Sequence, residues 1–358
     1  MAHRHTGTPP MRLGILGCAN IARQFARDVA PSPAVHLAAV ASRDAAKARD
    51  FASTFDIARS HGRYEALLAD DEVQAIYLPL PNSLHAEWAI RAAQAGKHVL
   101  CEKPLSVGLA QAQAMFAAAR THGVMLLEAY PYWFQPQTGA MVKLLDEGAI
   151  GSVRTVQASF GFTLGILQTN IRMVPELGGG ALLDAGSYPM SLIRLAMGSA
   201  PQRVLAQSRW DASGVDIATV ATLLWDDGRN AQLSCSMDTA THRRAMIIGS
   251  AGAIETEYLN HTSQGPTGHP HGYQPSQLRL RRGTGNPIAY ESIVTGVGSG
   301  FRFAAEAFAK VVAERDFAAI ERAAQASLDI AATLEAIAVS ARGGCEVEVA
   351  QPTVPRAC

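Results

Sequence analysis

Through the first 130 residues, short apolar runs alternate with stretches whose apolar residues recur every three or four positions. Residues 12–16, 36–41, 75–78, 98–101 and 124–128 form the runs; 21–29, 44–55, 84–95 and 110–122 carry the helical period. Five strands with helices between them are the signature of βαβ units, which predicts an α/β domain of Rossmann type with a doubly wound parallel sheet.

Beyond about residue 150 the pattern changes. Residues 152–162, 203–209, 217–225, 230–236, 244–248 and 253–258 read as strands, with turn signals at Asp226-Asp227-Gly228 and Ser250-Ala251-Gly252. Strands that follow one another without helices predict an α+β domain with a large, open, mostly antiparallel sheet. One helix, 180–197, interrupts it. Residues 260–285 are rich in Gly, Pro, Ser and His and read as a long loop, and 300–314 and 317–341 as Ala-rich helices. The predicted division is a loose tail over 1–10, a dinucleotide-binding domain over 11–130 and a substrate-binding and oligomerisation domain over 131–350. The C-terminal helices are candidates to pack back on the first domain.

The length of 358 residues exceeds one ordinary domain, and 48% hydrophobic against 17% charged residues leaves material for two cores. Lys+Arg and Asp+Glu both number 31, so charge gives no argument for nucleic acid or an anionic membrane as a partner. No apolar run reaches the roughly 20 residues that span a bilayer, and the polar start of the chain lacks a signal-peptide core. The five cysteines are scattered and form no CxxC, which disfavours a disulfide framework or zinc site and fits a reducing cytoplasm. His261, His269 and His271 are irregularly spaced among polar neighbours and read as a solvated or subunit-contact segment; no metal is expected.

The first strand runs into Gly17-Cys18-Ala19-Asn20-Ile21-Ala22. Gly17, Ala19 and Ala22 meet the size requirements of a dinucleotide turn: a tight bend, a close approach to pyrophosphate and helix packing. Ala19 replaces the strict glycine, so an ordinary βα turn remains the alternative. The second strand ends in Ser42-Arg43, where an NAD site usually carries an acid for the ribose 2′-hydroxyl. A hydroxyl and a guanidinium there favour NADP(H) over NAD, although a surface Ser-Arg before an N-capping Asp44 reads equally plainly.

Two further segments carry candidate chemistry. Glu102-Lys103-Pro104 leaves a predicted strand at its carboxyl end, where ligand crevices form. An isolated Lys there would as readily be a surface residue. Gly178-Gly179-Gly180 precedes Asp184 and Tyr188, four apart and hence on one helix face. A carboxylate and a phenol together can orient a hydroxylated substrate and relay its proton, and a nearby Lys⁺ would lower the phenol pKa. Packing of Tyr188 beside an exposed Asp184 is the competing reading.

Taken in order, these segments resemble the glucose–fructose oxidoreductase / inositol dehydrogenase family over nearly the whole chain. Besides the motifs above, the resemblance includes the run from Leu78 through Pro79-Leu80-Pro81-Asn82-Ser83-Leu84 to His85, and Glu128-Ala129 and Asn170-Ile171-Arg172. The details are most similar to its dimeric dihydrodiol dehydrogenase and NADP-dependent D-xylose dehydrogenase branch. The resemblance implies an NADP-dependent oxidoreductase moving a hydride between nicotinamide and a CH–OH or C=O carbon of a sugar, polyol or cyclic diol. It implies Lys103, Tyr188 and Asp184 as catalytic residues, with Tyr188 as proton donor or acceptor. The cofactor would meet the 17–21 turn, Ser42, Arg43, Pro79, Leu80, Asn82, His85, Glu102 and Lys103. Trp133, Arg172, Asp184 and Tyr188 would contact substrate. Relatives carry Arg where this chain has Trp133 and His where it has Gln135, which implies a less polar pocket. It further implies a homodimer through the C-terminal sheet. The alternatives are a keto-sugar reductase acting on a free or nucleotide-linked sugar, a glycosidase using NAD⁺ transiently, and a non-catalytic NADP(H)-binding sensor.

Overall fold

The near-continuous apolar runs of the first third become strands buried on both faces, as a parallel sheet covered by helices requires. A computed structural model describes residues 9–165, 170–257, 277–286 and 288–353. Its first sheet consists of β1 (Met11–Leu16), β2 (Val35–Ala41), β3 (Arg59–His61), β4 (Ala75–Leu78), β5 (His98–Glu102) and β6 (Leu126–Ala129), in the order β3-β2-β1-β4-β5-β6. Every pairing is parallel. Strand order reverses between β1 and β4, so a crevice opens at their carboxyl ends. Strand β3 was not predicted, because Arg-Ser-His is short, polar and exposed except for a half-buried His61.

Helices α1 (Asn20–Val29), α2 (Ala45–Thr54), α3 (Tyr64–Leu68), α4 (His85–Gln94) and α5 (Leu109–Thr121) cover this sheet. Helix α1 buries Ala22, Phe25, Ala26 and Val29, the i, i+3, i+4, i+7 stripe of an amphipathic helix, and Phe25 stacks on Tyr77 of β4 at 3.7 Å. Asp44 caps α2 by accepting from the backbone N–H groups of Ala46 and Lys47.

After α6 (Pro136–Asp146) comes β7 (Val153–Thr163), then α7 (Ser187–Met197) and the strands β8 (Arg203–Trp210), β9 (Asp216–Leu224), β10 (Asn230–Ser236), β11 (Asp238–Gly249), β12 (Gly252–Glu257), β13 (Gln277–Arg282) and β14 (Glu291–Ile293). Helices α8 (Gly300–Glu314) and α9 (Phe317–Gly343) and the short β15 (Val347–Glu348) complete the order. Among the described residues the second sheet has nine strands, ordered β14-β13-β12-β11-β7-β10-β9-β8-β15, and only β7 and β10 pair parallel. Residues 277–282, read above as part of a loop, instead form β13, paired antiparallel to β12; their alternation Leu278, Leu280 against charged neighbours is a strand period hidden behind a Gly- and His-rich stretch. His261, His269 and His271 lie outside the described residues, as does the tail before residue 9.

The alternation in β9 and β10 is resolved within one chain. Ala221, Leu223, Ala231, Leu233 and Cys235 are buried in the core that includes residues of α7 and α9, while Val220, Thr222 and Gln232 face outward. Ala324, Leu328 and Ala331 of α9 share an apolar cluster with α4 and α5, and Phe301, Ala305 and Phe308 of α8 share one with α1.

Candidate active site

The carboxyl ends of β1, β4 and β5 bring three sequence-distant turns together. Gly17 has φ +125°, which favours glycine, and a Cβ there would lie 2.9 Å from Leu80 Cδ2. Ala19, Asn20 and Ile21 then open α1. No side chain caps that helix and its first turn carries no acid, so its N–H groups remain available to an anion. Cys18 is half-buried beside Ser42, and burial raises its thiol pKa. Ser42 is buried, its Oγ accepting from the Asp44 N–H at 3.1 Å, which leaves the hydroxyl proton to donate elsewhere. Arg43 is exposed at the end of β2 and bonds to the Tyr64 hydroxyl. An uncapped helix start, a glycine cradle that a Cβ would fill and a β2 end without an acid fit a dinucleotide bearing a 2′-phosphate.

On the far side of the crevice, Pro79 is buried, and the Asn82 amide donates to the Gly178 carbonyl at 2.9 Å, tying the loop after β4 to the glycine run. Gly180, at φ +109°, leaves no room for a side chain: a Cβ would meet Asp216 Oδ1 at 2.2 Å. Asp216, buried on β9, accepts from the Leu182 N–H at 2.7 Å and the Thr219 hydroxyl at 2.9 Å. It thereby caps the single π-helical turn Leu182–Gly186 that carries Asp184 and runs straight into α7. Such turns recur at functional sites because they re-aim one side chain within a helix.

Asp184 is the electrostatic hub. Lys103 Nζ donates to its Oδ1 and to its backbone carbonyl, each at 3.0 Å, and Arg172 Nε donates to Oδ2 at 2.5 Å. Burial alone would raise this carboxyl, but the charges of Lys103 and Arg172 hold it well below the usual carboxylate range. The Lys103 ammonium also stands 4.8 Å from the centroid of the Tyr188 ring. Lys103, Arg172, Asp184 and Tyr188, spread over 86 positions of sequence, therefore meet in one cluster.

Tyr188 is 4% exposed and packed edge-on against Tyr130 and Phe160 at 5.6 and 5.4 Å. Its phenol is pushed well above the ordinary tyrosine value by burial and then by the nearby Glu102 charge, with Arg243 and Arg172 opposing. Lys103 was expected to lower it; the net direction is upward because desolvation is the largest cause, and the ammonium is also paired with Asp184. Glu102 is itself buried and raised by that burial; its carboxylate accepts from the Tyr77 hydroxyl at 2.7 Å and the Lys103 N–H at 3.3 Å.

Trp133 spends its indole N–H on the Tyr132 hydroxyl at 2.8 Å, and Tyr132 in turn meets Ser191 at 2.6 Å, so the indole offers only ring surface. Gln135 is buried. His85 is fully buried, with its ring nitrogens on the carbonyls of Pro104 and Leu80, so it serves the crevice through the loops it ties together. Two contributors went unread in the sequence. Asp216 carries no local signal. Arg243 does: in β11 it precedes Ala245 and Ile247 at period two, which puts a charge on the apolar face, and its guanidinium stands 4.6 Å over the Phe160 ring.

The model of an oxidoreductase family with an NAD-binding Rossmann fold matches residues 11–130, and that of the GFO/IDH/MocA C-terminal domain matches 139–255. The chain is 34% identical over 340 residues to a D-xylose 1-dehydrogenase (NADP(+)) of Haloferax volcanii, covering 95% of this chain and all of the relative. It is 34% identical over 245 residues to a trans-1,2-dihydrobenzene-1,2-diol dehydrogenase of Xenopus tropicalis, covering 68% and 74%. A crystal structure of a 3-ketoreductase from Actinomadura kijaniata in complex with NADP and TDP-benzene superposes with a TM-score of 0.79 at 32% identity, over 92% of this chain and 98% of that one.

Proposed function

From the premise that the chain belongs to the GFO/IDH/MocA oxidoreductase family, we propose that it is an NADP-dependent oxidoreductase of a sugar, polyol or cyclic diol. One observation carries the reading: Lys103, Asp184 and Tyr188 converge beside the crevice at the strand ends. NADP(H), when bound, supplies hydride chemistry at its nicotinamide. The uncapped start of α1 would receive the pyrophosphate, with Ser42 and Arg43 on the 2′-phosphate. The Pro79–Asn82 loop and Glu102 would line the path between them.

In the substrate half, Asp184 accepts from substrate hydroxyls and holds Lys103 and Arg172 in place. Lys103 stabilises negative charge developing on the reacting oxygen, and Tyr188 exchanges a proton with that oxygen. The ring faces of Trp133 and the tyrosine cluster suit the apolar face of a pyranose or an aromatic diol. A second direction, reduction of a keto-sugar, free or nucleotide-linked, is supported by the likeness to the Actinomadura kijaniata 3-ketoreductase, and a phenol raised by burial, hence protonated at neutral pH, is compatible with it.

The proposed organisation is a cofactor domain over 11–130 and a substrate domain over 131–350, working in the cytoplasm as a homodimer. Among the described residues no helix is long and apolar enough to cross a membrane. The outer face of the second sheet supports the dimer. Its central row, Thr222, Gln232 and Gln157 in register, is uncharged, with exposed Leu205 and Val220 beside it.

The test is absorbance at 340 nm with NADP⁺ or NAD⁺ and a panel of aldoses, inositols and cyclic diols, and with NADPH and keto-sugars. Turnover preferring NADP(H) that collapses in Tyr188→Phe and Lys103→Ala is expected. Failure to bind either NADP(H) or NAD(H) would overturn the reading.

A further inference from the structure

The loop carrying Lys103 is fixed at one peptide group. The carbonyl of Pro104 receives the His85 ring through Nδ1 at 2.9 Å, and the N–H of the same peptide unit, belonging to Leu105, donates to Glu128 Oε1 at 2.8 Å. Both clamping side chains are buried, His85 completely. A peptide plane held at its two polar ends cannot rotate, and it sits one residue from the lysine that reaches Asp184.

The other edge of the imidazole reaches the cofactor side. His85 Nε2 lies 2.8 Å from the Leu80 carbonyl, and the Leu80 side chain is the group a Cβ on Gly17 would strike at 2.9 Å. One ring thus joins the loop packed against the pyrophosphate turn to the loop bearing the lysine.

We propose that His85 is a positioning residue that couples the cofactor turn to Lys103, its Nε2 edge setting the Leu80 loop and its Nδ1 edge setting the Pro104 peptide. The inference rests on Lys103 being the lysine of the proposed site. Burial pulls the imidazole below the ordinary histidine value, against the Pro104 and Leu80 carbonyls, which favour the charged ring, and the neighbouring Lys103 charge adds to burial. A neutral ring has a single N–H, so the two carbonyls share one proton between two tautomers. The ring spans the two carbonyls at 2.9 and 2.8 Å, so the two loops are linked through one side chain.

The two edges can be separated. In His85→Gln the amide nitrogen reaches toward the former Nε2 position, and in His85→Asn toward Nδ1. The measurements are the NADPH Kd by fluorescence titration, and kcat and KM on a substrate the wild type turns over. His85→Gln is expected to keep the NADPH Kd within about twofold while kcat falls roughly tenfold or more. His85→Asn should keep kcat within about threefold while the Kd rises roughly fivefold, the scale of one hydrogen bond. Equal behaviour of the two variants, the opposite ordering, or a loss of thermal stability alone would overturn the proposal. If the wild type turns over none of the panel, it is the proposed substrate class that has failed. The Kd measurements then decide alone: Gln near wild type with Asn weakened supports the coupling, and any other ordering removes it.

Discussion

The ammonium of Lys103 is held twice by one residue, at 3.0 Å from the Asp184 carboxylate and 3.0 Å from the Asp184 carbonyl. Side chain and backbone of a single position therefore fix where the cation stands relative to the Tyr188 ring. Asp184→Asn keeps the shape but removes the charge that also anchors Arg172. We expect kcat/KM to fall on the order of 100-fold, with the NADPH Kd nearly unchanged. Paired steady-state kinetics and cofactor titration check this, and a purely cofactor-side defect would contradict it.

Tyr188→Phe removes the oxygen proposed to exchange the proton, from a site whose packing is otherwise kept. A loss of about 10²–10⁴ in kcat is expected, the range for general acid–base groups. The pH dependence follows from the raised phenol. Its protonated form persists through neutrality and is lost only as pH rises beyond the ordinary tyrosine value of about 10. Carbonyl reduction should therefore be flat between about pH 7 and 9. A limb in that interval that disappears in Tyr188→Phe would show the phenol titrating lower.

Arg43→Ala should raise the NADPH Kd by about tenfold or more and leave the NADH Kd unaltered, since only the former offers a 2′-phosphate to a charge-assisted bond. Equal weakening of both cofactors would assign Arg43 to the adenine rather than the phosphate.

Glu128 makes a stability prediction. Burial pushes its carboxyl from 4.5 up to about 7, against hydrogen bonds from Ser327 and Leu105 that pull it down. A folded-state pKa above the unfolded one lends stability that is complete below about 4.5 and is lost as pH rises toward 7. Glu128→Gln keeps an acceptor for Leu105 and removes the titration. At pH 8 it should be the more stable protein, by on the order of 2–3 kcal/mol, with the advantage gone at acid pH. Denaturant unfolding at two pH values measures it.

Val220 is 54% exposed at the middle of the outer sheet face. If two copies meet there, Val220→Glu buries a charge at the interface and should shift the protein from dimer to monomer in sedimentation, with its melting behaviour otherwise preserved. A wild-type monomer would remove the dimer from the proposal.

The two periods of the chain determined its two halves: short apolar runs bounded by turn residues and separated by helical stretches fit strands buried on both faces, and rapid alternation fits strands with one face covered. The tight bend at Gly17 and a β2 end without an acid at Ser42-Arg43 were legible for the same local reason, since both are made by neighbours in sequence. Strand β13 escaped because its alternation follows a stretch of loop-like composition, and β3 because its pairing is fixed by the sheet rather than by its own residues.

What only the tertiary structure decided is charge and proton state. Whether Lys103 activates the phenol or anchors a carboxylate depends on distances between residues 81 positions apart. The fate of Tyr188 depends on how much water the Phe160 and Tyr130 rings exclude. Desolvation and Coulomb energy vary with separation in space, which the order of residues along a chain does not encode, so the sequence offered candidates and the fold brought Lys103, Arg172, Asp184 and Tyr188 into one cluster.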